Sequence, residues 1–315
     1  MKLLPSRIIP IFAAALLLAS VTGCQKIGAV AIQSPGLYPE GIEFDPVRKA
    51  FLVTSLTQGK VSIVDAKGSV ETLIDDPDLV SAIGIRLDVA RNRLFVCSSD
   101  PGVSQKTRPA TQKQIAGLGV YQLSSGERID FVRLDQLQPG AHFCNDIALA
   151  QDGSVFVTDS FAPLLYRVDP NLKAEIFATD PAFAADGFGL NGIVLTTRWV
   201  LVANSTRGEL LRISRQNRSI QKVDLDQPIQ GADGMVLLES GQLAVIQNSS
   251  NQVAMYSSSD DWLSANRQQV LKNDLHFPTT GVQIDDRLFV LNAHLNQLFS
   301  GDQSVSSFQV TEFKP

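Results

Sequence analysis

The sequence predicts an all-β protein, a six-bladed β-propeller of four-stranded antiparallel blades, and two recurring patterns carry that prediction. The first is a triplet followed by side chains that are apolar at every second position, the period of a strand. It occurs as Glu40-Gly41-Ile42, Ile83-Gly84-Ile85, Asn145-Asp146-Ile147, Asn191-Gly192-Ile193, Asp233-Gly234-Met235 and Thr280-Gly281-Val282. The second is a short apolar run that closes on a small polar residue: FLVTS, LFVCS, VFVTD, VLVAN, LAVIQN and LFVLN. Successive triplets lie roughly 42 to 47 residues apart, with one gap of about 62, the spacing of one propeller blade per repeat.

The chain begins with a segment that reads as a secretory signal. Lys2 and Arg7 precede an apolar run from Ile8 to Ser20, and Val21-Thr22-Gly23-Cys24 follows. The run is shorter than the ~20 residues that span a bilayer. Its ending looks like a bacterial lipobox, which makes residues 1–24 a lipoprotein signal peptide and Cys24 the acylated mature N-terminus. The expectation is an exported lipoprotein, anchored to the membrane and facing the periplasm or the cell exterior. Next, Ile27 to Ile32 is short and rich in β-branched residues. Since a propeller must hide both sheet edges, IGAVAIQ is expected to close the ring as the outer strand of the last blade.

The blades are expected at about 39–75, 82–134, 143–179, 189–225, 231–271 and 277–313. Blade two carries a long insertion, residues 100–119, with Lys106, Arg108 and Lys113 among loop-forming residues. It should lie on the face where the triplets begin, because the connection from second to third strand returns there. Gln151-Asp152-Gly153 and Glu239-Ser240-Gly241 mark first hairpins. No helix pattern is evident beyond a turn around Trp262 to Asn266. Cys97 and Cys144 fall near the inner ends of neighbouring blades; a disulfide is allowed there, as is burial of two free thiols.

The innermost strands line the central channel, so the first triplet residues face one axis: Glu40, Ile83, Asn145, Asn191, Asp233 and Thr280. Asn-Gly and Asp-Gly are ordinary turn dipeptides. A turn, however, does not require two carboxylates and two amides to arrive at equivalent heights around one axis, and left empty the acids would repel each other. One divalent cation, which takes 6 to 8 oxygens, resolves this. Calcium is the first expectation, with magnesium, manganese or zinc behind it, and the lack of His and Cys at these positions argues against a structural zinc site. A net charge of -5 gives no basic surface for nucleic acid.

PEGIEFDP, FCNDIALAQDGSVFVTDS, LNGIVLT and GADGMVLLESGQLAV together resemble the SMP-30/gluconolactonase/regucalcin family of six-bladed propellers, to which diisopropylfluorophosphatase-type hydrolases are similar. The resemblance runs from about Leu37 to the end. It implies that Glu40, Asn191 and Asp233 hold a catalytic divalent metal, that Asn145 is a fourth ligand or a substrate contact, and that Asp146 touches substrate. Phe143 stands where sugar-lactone members usually carry arginine, and Tyr38 and Phe44 stand where tryptophans often flank the glutamate, so an aldonolactone is not the implied substrate.

The expectation is a metal-dependent hydrolase of a small lactone or related ester, with Asp233 as general base or nucleophile. His142 and His294 are candidates for proton shuttles near the mouth. The small polar strand ends Ser55, Ser98, Asp159, Asn204, Gln247 and Asn292 equally suit a binding funnel. The alternative is therefore a non-catalytic propeller lipoprotein that binds a ligand or a protein partner, and a third reading makes the ion purely structural.

Overall fold

The computed structural model describes residues 28–315; the signal segment, Cys24 and Ile27 lie outside the described residues. Six antiparallel sheets stand around one axis, each with its inner strand packed against the inner strands of both neighbours. These inner strands are Pro39–Asp45, Ser81–Asp88, Cys144–Leu149, Leu190–Leu195, Ala232–Leu237 and Pro278–Ile284. The second strands, including Arg93–Ser99 and Trp199–Asn204, are sandwiched between blades and buried along almost their whole length. Burial on both faces explains why LFVCS and VLVAN read as unbroken apolar runs. Outer strands such as Arg128–Arg133 turn to solvent and turn polar.

Val30–Gln33 pairs antiparallel with Ser307–Phe313, so the first described strand completes the sixth blade and closes the ring as expected. Ring contacts join the first and last blades: Tyr38 edge-on against Phe308 at 5.5 Å, and Phe51 tilted against Phe289 at 5.5 Å.

Two local features differ from expectation, and a third settles a point that the sequence left open. Asp224–Leu225 leaves blade four and adds a parallel fifth strand to blade five beside Ser264–Leu271, because Asp224 and Asp226 bond the chain near Leu263 and Ala265. Leu295–Phe299 forms a short helix, buried through Leu295 and Leu298, whereas the turn at Trp262 leads into a strand. Cys97 and Cys144 form a disulfide, with Cα atoms 5.4 Å apart, that ties the second strand of blade two to the inner strand of blade three. Closing a loop across 47 residues of separation is worth about 4 kcal/mol in the chain-entropy account.

The insertion in blade two lies on the expected face and is well anchored. Buried Asp100 accepts from Gly102 N at 2.8 Å, Thr107 Oγ1 at 2.7 Å and Thr111 Oγ1 at 2.6 Å. Ser104 donates to the carbonyls of Thr57 and Val80, and Lys106 Nζ to those of Gly59 and Asp76. No contact to the polar residues at the axis is among these bonds; the loop is pinned to blade one and to the start of blade two.

Candidate functional site

Every inner strand breaks its register at the triplet. Regular pairing stops at Pro39, Ala82, Cys144, Leu190, Ala232 and Pro278 and resumes three residues later. Such bulges bend a strand and re-aim its side chains, here at the axis. In blade six the irregularity spans Thr279 and Thr280, so Thr279 is the register equivalent of Glu40; aligning on Gly281 places it one residue late.

The triplet glycines let neighbouring blades approach. A Cβ on Gly192 would lie 2.3 Å from the Asp233 carbonyl oxygen, and one on Gly84 2.3 Å from that of Asn145. Gly192→Ala should therefore cost about 1–3 kcal/mol, read as a lower denaturation midpoint; an unchanged midpoint would contradict this packing. Threonines stitch the same junctions: Thr54 Oγ1 donates to Ile83 O, Thr158 Oγ1 to Asn191 O, and Thr279 Oγ1 to Glu40 O, each within 2.8 Å.

Glu40, Asn145, Asp146, Asn191 and Asp233 all line one central cavity of about 10 Å³, each 9% exposed or less. Thr280 lines it too. The Asn145 amide nitrogen donates to Ser160 Oγ at 2.8 Å, leaving its oxygen for the cavity. Asp146 accepts from Ile147 N at 2.8 Å and Ile193 N at 3.2 Å. Asn248 Nδ2 donates to Asp233 at 3.1 Å.

Burial first, then the charges of Asp233 and Asp146, holds the Glu40 carboxyl well above the usual range. Burial likewise pushes Asp233 up to about 7 against the hydrogen bonds of Asn248 and Asn191. Asp146 is also raised by burial, with Arg86 pulling the other way.

Arg86 is the residue that the repeat pattern missed. It lines the hub from blade two, pairs with Glu43 of blade one at 2.6 Å and donates to Ile147 O at 2.9 Å. It also lines the cavity on the far side, among Leu149, Leu195 and Val282, and so lies between the hub and the far end of the channel. Arg86 thus acts on two of the four buried carboxylates, Glu43 and Asp146, while Glu40 feels the charges of Asp233 and Asp146. Among the described residues no group of three or more His, Cys, Asp or Glu is arranged to hold a metal. A cation at the hub would need amide oxygens alongside the carboxylates.

Two expectations are corrected. The small polar strand ends do not line a funnel: each is buried and bonds the segment leading into its own blade, as with Ser55 to Leu37 O, Ser98 to Asp78 O, Asn204 to Phe183 O, Gln247 to Gln230 O and Asn292 to Asp274 O. Neither histidine reaches the hub. His142 is 1% exposed beneath blade three, bonded to Asp159 at 2.7 Å, and His294 stacks on His276 with ring centroids 5.5 Å apart. Phe143 instead joins Phe161 and Phe188, ring centroids 5.1 and 5.4 Å away, in an apolar cluster two residues before Asn145.

No family model matches the chain, and no curated protein matches its sequence. Solved structures do. The major allergen Mala s 1 of Malassezia sympodialis superposes with a TM-score of 0.73 at 16% identity, over 90% of this chain and 95% of that one. A gluconolactonase from Xanthomonas campestris gives 0.61 at 14%, over 89% and 88%, and virginiamycin B lyase from Staphylococcus aureus gives 0.60 at 10%, over 90% and 98%. The propeller fold is common to an allergen, a gluconolactonase and a lyase, so at these identities the likeness establishes the fold and leaves the chemistry to the site.

Proposed function

We propose that the protein is a divalent-cation-dependent hydrolase of lactones or related esters, with its reaction centre at the hub. The observation that carries this reading is the excess of buried carboxylate at the axis, with amide oxygens from two further blades at the same cavity. Glu40, Asn191 and Asp233 would hold the cation, with Asn145 as a fourth ligand or a substrate contact, and calcium suits an all-oxygen set. Bound there, the ion supplies Lewis-acid polarisation of a carbonyl oxygen and a more acidic water.

The chain's own groups supply the rest. Asp233 accepts the proton of the attacking water, and Asn145 and Asp146 orient the substrate. The Phe143, Phe161 and Phe188 cluster, which begins two residues before Asn145, would favour a substrate with an apolar body. An exported lipoprotein anchored through Cys24 fits the Cys97–Cys144 disulfide, a bond of oxidising compartments. Cys24→Ala should move the protein from the membrane to the soluble fraction; a membrane-bound variant would contradict the anchor.

A panel of lactones, aryl esters and phosphotriesters, assayed with and without a chelator, tests the reaction. Turnover should be chelator-sensitive, restored by calcium, and reduced about 10²- to 10⁴-fold by Asp233→Asn. Turnover that survives both treatments would remove the hub from the mechanism. One observation favours a second reading: the hub holds about 10 Å³, room for one ion or water, while larger cavities lie elsewhere. A non-catalytic propeller that binds a ligand or protein partner predicts cation binding without turnover of any panel member.

A further inference from the structure

The insertion of blade two builds a second cavity on the mouth face, away from the axis. It encloses about 380 Å³ between the insertion, the turn leading into blade two and that blade's outer strands. Its Val80 precedes Gly84 of the hub by four residues, about 13 Å along a strand. The floor is apolar: Val80, Ile115 and the Phe131 ring, which lies so close over Gly117 that a Cβ there would meet it at 2.4 Å.

The rim is cationic, and its charges are matched with one exception. Lys106 pairs with Asp75 at 3.1 Å, Arg128 with Asp78 at 2.6 Å and Asp76 at 3.4 Å, and Arg133 with Asp135 at 2.9 Å. Arg108 also lines the cavity, and no carboxylate lies within ion-pair distance of it among the described residues. Its backbone is nevertheless fixed: Arg108 N donates to Thr111 Oγ1 at 3.0 Å, and its carbonyl accepts from Thr111 N and Gln112 N. Thr111 is held in turn by buried Asp100.

We propose that this cavity binds a small amphipathic monoanion, a carboxylate on an apolar or aromatic body. One unmatched guanidinium calls for one negative charge, its planar fork suits a carboxylate, and the apolar floor takes the body. A multiply charged anion would meet Asp78 at the rim without a second free cation. The site is independent of the hub's chemistry, and the insertion is its essential wall.

Calorimetric titration of the folded protein with 2-naphthoate, and with 2-naphthalenemethanol as the neutral match, tests this. The carboxylate should bind, the alcohol at least tenfold more weakly, and Arg108→Ala should weaken naphthoate about tenfold or more with its melting temperature unchanged. Arg215→Ala, in a cavity on the far face, should leave the affinity within twofold. The proposal fails if naphthoate does not bind at millimolar concentration, if acid and alcohol bind equally, or if Arg108→Ala has no effect. Binding that disappears in Asp233→Asn would place the probe at the hub and overturns it too.

Discussion

Asp159→Ala should lower the stability of the propeller by about 3–5 kcal/mol. The carboxylate is wholly buried and accepts five bonds: from Phe143 N, Phe161 N and Ala162 N at 2.8 to 3.0 Å, from His142 Nδ1 at 2.7 Å and from Tyr166 Oη at 2.9 Å. Truncation strands all five donors in a dry interior. His142 Nε2 meets the Gln138 carbonyl at 2.7 Å, so both ring nitrogens face acceptors and the ring is an imidazolium. Burial works against that charge, but the bond and charge of Asp159 outweigh it and raise the histidine above 6.5. Its contribution is therefore complete below about pH 6.5 and is lost as pH rises through the raised value. Asp159→Asn, which keeps the shape and removes the charge, should recover part of the loss. A cost below 1 kcal/mol for the alanine variant in urea denaturation would mean that this cluster is not a fastening of blade three.

The second large effect concerns the hub without a cation. In chelator, stability should fall as pH rises from about 4 to 7. Asp233 titrates at about 7 in the folded chain against 3.8 when unconstrained. Between those values the folded state keeps a proton that the unfolded chain has released, so raising pH favours unfolding, by about 4 kcal/mol for a shift of this size. Glu40 shifts in the same direction and adds to the slope. Calcium should restore stability at pH 8, where the bare carboxylates repel most. Asp233→Asn should flatten the slope, raise the metal-free melting temperature at pH 8 and abolish the calcium response. Because His142 contributes a slope of the same sign, the comparison with Asp233→Asn isolates the hub. Chelated protein that grows more stable between pH 5 and pH 8 would falsify the electrostatic account of this site.

Glu40, Asn145, Asn191 and Asp233 were legible in the sequence because each opens a copy of one repeat, and the repeat also located the strands. What escaped has a physical reason in each case. Arg86 begins no repeat; it reaches the hub from three residues further along its strand, by the length of its side chain. Thr279 was masked by the glycine two residues on, since the bulge in blade six falls one residue earlier than alignment on Gly281 implies. The polar strand ends looked like solvent-facing groups because sequence shows their chemistry but not the backbone carbonyls that occupy them. Asp224–Leu225 changed blades through pairing with residues some forty positions away, which local pattern does not encode.

The seam formed by Val30–Gln33 and Ser307–Phe313 imposes an order on assembly. Val30–Gln33 finds its partner only after Ser307–Phe313 has been made, so five blades can stack while the circle stays open and both rims remain unpaired. A chain that lacked Ser307–Phe313 would keep every residue of the central cavity and still present two adhesive borders to its neighbours.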